Sequence, residues 1–156
     1  MHQLNLPSYT FRTEIRENKT YIFDTIRKRY VVLTPEEWVR QNFIQYLARE
    51  KNYPVSLMAV EKQILVNEKI FRFDLLIYRR SGTPLLIAEF KAPEVKISQD
   101  TFNQVVRYNM ALKVRHVVVS NGLQHFVCEI DYLKNSYSFL KEIPEYLSNH
   151  QNSTMG

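Results

Sequence analysis

Phe71-Arg72-Phe73-Asp74-Leu75-Leu76-Ile77-Tyr78 and, after a short break, Leu85-Leu86-Ile87-Ala88-Glu89-Phe90-Lys91 decide how this chain folds. Both stretches have the apolar density of central strands, yet each carries charge where a buried strand would have none. In the first, Phe71, Phe73, Leu75 and Ile77 alternate as a core face. Asp74 is therefore expected on the other face, with Arg72, Leu76 and Tyr78. Ser81-Gly82 reads as a two-residue hairpin loop between the strands. That loop sets Asp74 opposite Glu89 and Arg72 opposite Lys91, while Glu89 and Lys91, two apart, share a face. Opposed side chains lie ~4.5–5.5 Å apart at Cβ, so Asp74, Glu89 and Lys91 are expected in one cluster.

Two opposed carboxylates repel, and more strongly when half-buried. Arg72 and Lys91 can neutralise them as a salt-bridge network. Alternatively, a hard cation such as Mg²⁺, which takes oxygen ligands and commonly uses one or two carboxylates, can sit between them. Lys91 would then lie beside metal-bound water and a phosphate. These residues alone leave both arrangements open.

Working outward, residues 9–33 alternate like strands, with turns near Glu17-Asn18-Lys19 and Phe23-Asp24-Thr25. They predict a small antiparallel extension of three strands: Tyr9–Arg16, Thr20–Phe23 and Arg27–Leu33. Thr34-Pro35-Glu36-Glu37 opens a helix, with Thr34 as cap, Pro35 at the first helical position and Glu37 completing a capping box. Val39, Phe43, Tyr46 and Leu47 form its apolar face, and it should end before Pro54. A meander over Met58–Val66, Ile70–Tyr78 and Pro84–Lys91 follows, turning at Asn67-Glu68 and Ser81-Gly82. A second helix is expected over Ser98–Lys113, capped by Ser98 or Gln99-Asp100, with Phe102, Val105, Val106, Asn109 and Leu112 on one side. Strands Arg115–Ser120 and Gln124–Asp131 come next, then a short helix over Ser138–Leu147. The result is an α/β domain around one mixed sheet, organised as a β extension (1–33), a core (34–147) and a frayed tail (148–156).

The 156 residues suffice for one domain with its own core. Only Gly82, Gly122 and Gly156 are glycines, so no Walker loop, dinucleotide fingerprint or G-x-S-x-G elbow can be written. The single Cys128 excludes an internal disulfide and a thiolate metal site, and reads as a small buried hydrophobe. Met1–Thr10 does not resemble a signal peptide, and no apolar run is long enough to span a membrane, so a cytoplasmic location is expected. The net charge of +5 lies wholly in residues 1–80, which hold 14 of the 21 Lys and Arg and 9 of the 16 Asp and Glu. Its sign suits a nucleic-acid partner. The densest run, Arg27-Lys28-Arg29, suits either that partner or a solvated strand edge.

Asp74, fourteen residues and then Glu89-Phe90-Lys91 resemble the D…(D/E)-x-K signature of the PD-(D/E)XK nuclease superfamily, whose helix–three strands–helix–strand order is also similar. Phe73 stands where many members have proline. Three further runs, Thr34-Pro35-Glu36-Glu37-Trp38-Val39-Arg40-Gln41, Ile87-Ala88-Glu89-Phe90-Lys91-Ala92-Pro93 and Asn121-Gly122-Leu123-Gln124-His125-Phe126, resemble the N-terminal domain family of type I restriction enzyme R subunits. That resemblance spans roughly residues 20–140. It implies a restriction-endonuclease-like core (αβββαβ) and a Mg²⁺-dependent endonuclease, Mn²⁺ being a substitute, that hydrolyses DNA in restriction or repair. Asp74 and Glu89 would hold the metal and Lys91 would support the nucleophile. Gln104 and Tyr108 resemble the Q-x-x-x-Y motif of RecB-like members, and their i, i+4 spacing puts both on one helical face. Glu37 resembles the acidic residue that many members carry on the first helix, in competition with its capping role. Arg72, Lys96 and Arg107 are candidate DNA contacts on charge alone. Glu61 could face the cluster, whereas His116 and His125 are too isolated to suggest a metal pair and read as core or surface residues. The implied partners are DNA, with RNA left open, and a second copy or partner subunits, with no membrane. The alternative is a catalytically inactive nuclease-like module that binds nucleic acid or a protein, its charged cluster closed as a salt bridge.

Overall fold

The computed structural model describes residues 1–110 and 112–146. The expected frayed tail, 148–156, lies outside them. Among the described residues are two α-helices and nine strands, which form a six-stranded sheet and a separate three-stranded sheet. The small sheet pairs β1 (Thr13–Arg16), β2 (Lys19–Asp24) and β3 (Arg29–Val32) in antiparallel fashion. Its first turn places Glu17 and Asn18 at φ 48° and 65°, the left-handed pair of a tight hairpin. Its second is organised by Asp24, whose Oδ1 accepts from the backbone N–H groups of Ile26 and Arg27.

Helix α1 (Pro35–Glu50) starts as its sequence predicts, with Thr34 Oγ1 accepting from Glu37 N at 3.0 Å. The capping box is only half made. The Glu37 carboxylate turns inward to Arg27, Arg40 and Gln41, and Thr34 N donates to Val32 O instead. Buried cations hold that carboxylate more strongly than one backbone N–H would.

The main sheet runs in sequence order through β4 (Met58–Val66), β5 (Lys69–Tyr78), β6 (Pro84–Phe90), β7 (His116–Ser120), β8 (His125–Asp131) and β9 (Ser136–Leu140). Every pair is antiparallel except β6–β7, which is parallel and crosses over through α2 (Gln99–Met110). Each helix covers one cluster of the core. Val39, Phe43, Ile44 and Leu47 of α1 pack with Leu75, Ile77, Leu86 and Ala88. Phe102 and Val106 of α2 pack with Leu76, Ile87, Val117 and Cys128.

Four expectations need correcting. The β5–β6 loop has three residues, not two: Arg79 N donates to Thr83 O and Gly82 N to Arg79 O, with Gly82 at φ +93°. A bulge then shifts the register between Tyr78↔Pro84 and Ile77↔Leu86. The two departures cancel, so Ile77↔Leu86, Leu76↔Ile87 and Leu75↔Ala88 pair as the shorter loop would have paired them. Second, β5 does not keep one odd-numbered core face. Leu75 and Ile77 pack under α1, whereas Phe73 and Phe71 join the α2 cluster. The ladder to β6 stops at Leu75, and on the other side Glu61 takes φ 52° between the pairs Val60↔Leu75 and Lys62↔Phe73, so alternation breaks at Asp74. Third, Ser138–Leu140 lie in a strand rather than a helix, and among the described residues of that stretch helical backbone appears only at Tyr146, Leu147 lying outside them. Asp131 Oδ1 caps Leu133 N and Lys134 N, and Asn135 at φ 51° closes a hairpin into β9. Tyr137 and Phe139, alternating with serine, lay their rings against Phe102. Fourth, α2 stops short of Lys113, which adopts φ 56° while its N–H closes on Asn109 O, a left-handed helix stop. Ser98 Oγ caps the other end, accepting from Thr101 N.

Cys128 is buried, and among the described residues no helix is long and apolar enough to cross a membrane.

Candidate active site

Asp74 sits where β5 leaves β6. Its Oδ2 accepts from Phe90 N at 2.7 Å, so a side-chain carboxylate takes the place of the next ladder carbonyl. This bond also fixes the rotamer of Asp74 and brings it level with Glu89. The Glu89 carboxyl is pushed up to about 8, first by burial and then by the adjacent Asp74 carboxyl; the charge of Lys91 pulls the other way. Two acids held together in a half-buried place cannot both ionise at low cost.

Glu89 and Lys91 line a groove of about 400 Å³ between β5–β6 and α2, shared with Arg72, Phe73, Gln104 and Tyr108. The i, i+4 pair Gln104 and Tyr108 faces it from the helix. Tyr108 is half-exposed and stacks edge-on against Phe71, with ring centroids 5.2 Å apart. Fully buried Asn109 closes the wall, its Nδ2 donating to Val105 O. The polar residues Thr101 and Asn109 were not anticipated in the groove; Thr101 lies at helical spacing from Gln104 and Tyr108, so the pattern of α2 contained it, whereas Asn109 lies on the side of Val105.

Behind Asp74 stands a network of opposite character. Arg40 reaches both Glu37 oxygens at 2.9 Å, Glu61 Oε1 at 3.3 Å and Asp74 O at 3.5 Å, and its Nη1 lies 3.9 Å from Asp74 Oδ1. Arg27 pairs with both Asp24 and Glu37 at 2.5 Å. Burial alone would raise the Glu37 pKa; the hydrogen bonds and charge of Arg40, with Arg27 and Gln41, outweigh it and bring Glu37 down to about 2. Burial lowers Arg40, while the hydrogen bonds and charge of Glu37 and the charges of Asp74 and Glu61 raise it, with a net rise. Sequence reasoning missed Arg40. Its signal was a polar stripe, Glu37, Arg40 and Gln41, on the buried side of α1.

The expected neutralising pairs do not form. Arg72 Nη2 binds Glu61 Oε2 at 3.0 Å rather than Asp74, and Lys91 makes no salt bridge among the described residues. Glu37 approaches the cluster only through Arg40. Lys96 and Arg107 are exposed and do not line the groove. Of the run 27–29, only Arg27 turns inward, leaving Lys28 and Arg29 exposed. His116 is buried in the sheet, and burial beside Arg115 and Arg79 lowers it to about 3. His125 bridges Ser120 Oγ and Asn5 O, tying down the N-terminal segment. Among the described residues no three His, Cys, Asp or Glu side chains gather as a metal-binding group. Asp74 and Glu89 together offer two carboxylates, the number a cation that keeps several waters could use.

The chain is similar to known proteins at two levels. A family model described as the type I restriction enzyme R protein N terminus (HSDR_N) matches residues 35–144. Among solved structures, the chain resembles one from Vibrio vulnificus YJ016, described as "the fragment structure of a putative HsdR subunit of a type I restriction enzyme". The TM-score is 0.50 at 18% identity, over 75% of this chain and 25% of that one. At that identity the likeness concerns the fold alone, and this chain spans about a quarter of that protein's length. No curated protein gives a significant match. Because the family model covers more than half of its residues, the chain belongs to the type I restriction enzyme R protein N-terminus family.

Proposed function

We propose that the chain is a divalent-metal-dependent nuclease domain of the PD-(D/E)XK kind, with a restriction-endonuclease-like core, that hydrolyses DNA phosphodiester bonds in restriction of foreign DNA. The observation that carries this reading is the junction of Asp74 and Glu89, with Glu89 and Lys91, which makes no salt bridge among the described residues, lining a groove of about 400 Å³. Burial and the neighbouring carboxylate disfavour the ionised form of Glu89, a cost that a divalent cation relieves. Asp74 and Glu89 would hold Mg²⁺, or Mn²⁺ in its place. When bound, it would supply Lewis-acid charge to the scissile phosphate and lower the pKa of bound water.

The remaining roles belong to the chain. Phe90 N–H orients Asp74 through Oδ2. Lys91, with no carboxylate to neutralise it, directs its ammonium at the attacking water or the charge that develops on the phosphate. Gln104 and Tyr108 offer hydrogen bonds from the opposite wall, and the exposed Arg72 offers charge to the backbone. Glu37 acts through Arg40 rather than on a metal. The family supports assembly with partner subunits and work on DNA in the cytoplasm. An inactive module would close the cluster on itself, and the Arg72–Glu61 pairing with Lys91 left over argues against that closure.

The test is cleavage of supercoiled plasmid, linear duplex, single-stranded DNA and RNA with Mg²⁺, Mn²⁺ or EDTA. We expect metal-dependent cutting of DNA. Asp74→Ala and Lys91→Ala should each reduce it by at least about 10²–10³-fold, the scale of a lost transition-state contact, with unchanged circular dichroism. No cutting of any DNA form at micromolar wild-type protein would end this reading and leave the binding module.

A further inference from the structure

We infer that the outer face of the three-stranded sheet is a second nucleic-acid surface, shaped for a single strand. Strand alternation divides that sheet sharply. Ile22 and Asp24 are fully buried and face the domain, where Asp24 holds Arg27 in the network behind Asp74. Tyr21 and Phe23 point the opposite way, and the register Phe23↔Tyr30 puts Tyr30 beside them. All three rings are only half-buried.

What lies over these rings is cationic. The Arg12 guanidinium sits 4.7 Å from the Phe23 centroid, and Phe23 meets Tyr30 at 5.2 Å. Arg16 bridges Tyr30 and Tyr21, at 5.3 and 5.4 Å. Lys19, at the adjoining turn, is exposed. The acids nearby are Glu14, which pairs with Arg16, and Glu17 in the turn. Alternating planar cations and rings on an open sheet match the chemistry of an unpaired nucleic-acid strand. Its phosphates need the cations, and its bases, free of a duplex stack, need flat partners. None of these side chains lines the groove at Glu89 and Lys91. The surface is therefore separate from the cleavage site and does not depend on the reading of that site. Because the inner face of the same sheet is tied to Glu37 through Arg27, a strand held outside is fixed relative to the groove.

The measurement is fluorescence anisotropy of a labelled oligo-dT of roughly 15 nucleotides, in EDTA so that no cleavage intervenes. Wild-type chain should bind it more tightly than a duplex of the same length. Arg12→Gln combined with Arg16→Gln should weaken binding at least about tenfold and flatten the salt slope by about 1.4, the value for two lost single-strand phosphate contacts. Tyr30→Leu should weaken dT binding about tenfold while leaving duplex binding unchanged. If the double variant fails to melt cooperatively, Lys19→Gln on the turn should still flatten the slope by about 0.7. Absence of dT binding at low salt, equal affinity in these variants, or equal binding of duplex would each overturn the inference. Asp74→Ala should keep full dT binding, so a failure of the nuclease reading would be seen separately.

Discussion

Glu37 on α1 and Glu89 on β6 are two glutamates removed from water on opposite sides of Asp74, and their fates differ. Burial raises the pKa of both. Glu37 receives Arg40, Arg27 and Gln41 and falls to about 2, whereas Glu89 receives a second carboxylate and rises to about 8. The region behind Asp74 is charge neutralised by the protein's own cations; in front, burial and a second carboxylate hold Glu89 back from ionising. Burial is common to both, so the partners make the difference. Unneutralised buried acid costs stability, and folds keep it mostly where function needs it.

The largest effect expected from this contrast is on the neutralised side. Glu37→Ala leaves the buried Arg40 without its main acceptor and Arg27 with Asp24 alone, which costs about 3–5 kcal/mol. In a domain of this size that lowers Tm by roughly 10 °C, measurable by calorimetry. The pH dependence has a definite sign. A carboxylate near 4.5 when unfolded and about 2 when folded binds fewer protons in the native state between those values. Its contribution is complete above about pH 4.5 and is lost as pH falls toward 2. The Glu37→Ala variant should therefore lack that part of the acid transition. A loss under about 1 kcal/mol would mean that the network is ornamental and the contrast unfounded.

An intermediate effect of opposite sign is expected in front. Glu89→Gln keeps the shape of the side chain but removes the proton that Glu89, raised to about 8, must take up on folding at neutral pH. In EDTA at neutral pH it should gain about 0.5–2 kcal/mol, the usual scale for relieving a functional strain, while cleavage is lost. A destabilised variant would show that Glu89 is paired in some way that the contrast overlooks.

These regions were unequally legible in the chain. Helix α1 follows from Thr34 and Pro35, because capping is local and its residues are adjacent. The β4–β5 turn follows from Asn67-Glu68, and both residues do adopt positive φ. The approach of Asp74 to Glu89 was reached through a loop one residue too short, and the bulge beside Tyr78 restored what the loop displaced. A bulge is set by sheet-wide packing, so no local pattern reports it. The change of face at Asp74 was hidden for a similar reason. It requires Glu61 to take a left-handed backbone, a strain repaid by contacts with Arg40 and Arg72, which come from other elements. Arg40 itself was present in the quoted run but had no role there, because its partners lie up to 34 positions away.

The smallest effect should fall on the boundary between the regions, at Arg72. It pairs with Glu61, but more than half of its side chain is exposed, and Glu61 keeps Arg40 at 3.3 Å and Arg27 at 3.7 Å without it. Arg72→Ala should thus cost at most about 1 kcal/mol of stability, as exposed pairs do. Because Arg72 also lines the groove, duplex DNA binding in EDTA should lose about 0.9 from its salt slope, one phosphate contact. The two readouts divide the possibilities. A large fall in Tm with an unchanged slope would move Arg72 into the neutralised network and shrink the functional face to Glu89 and Lys91. A changed slope at nearly constant Tm would make Arg72 the point where structural charge gives way to charge held for a ligand.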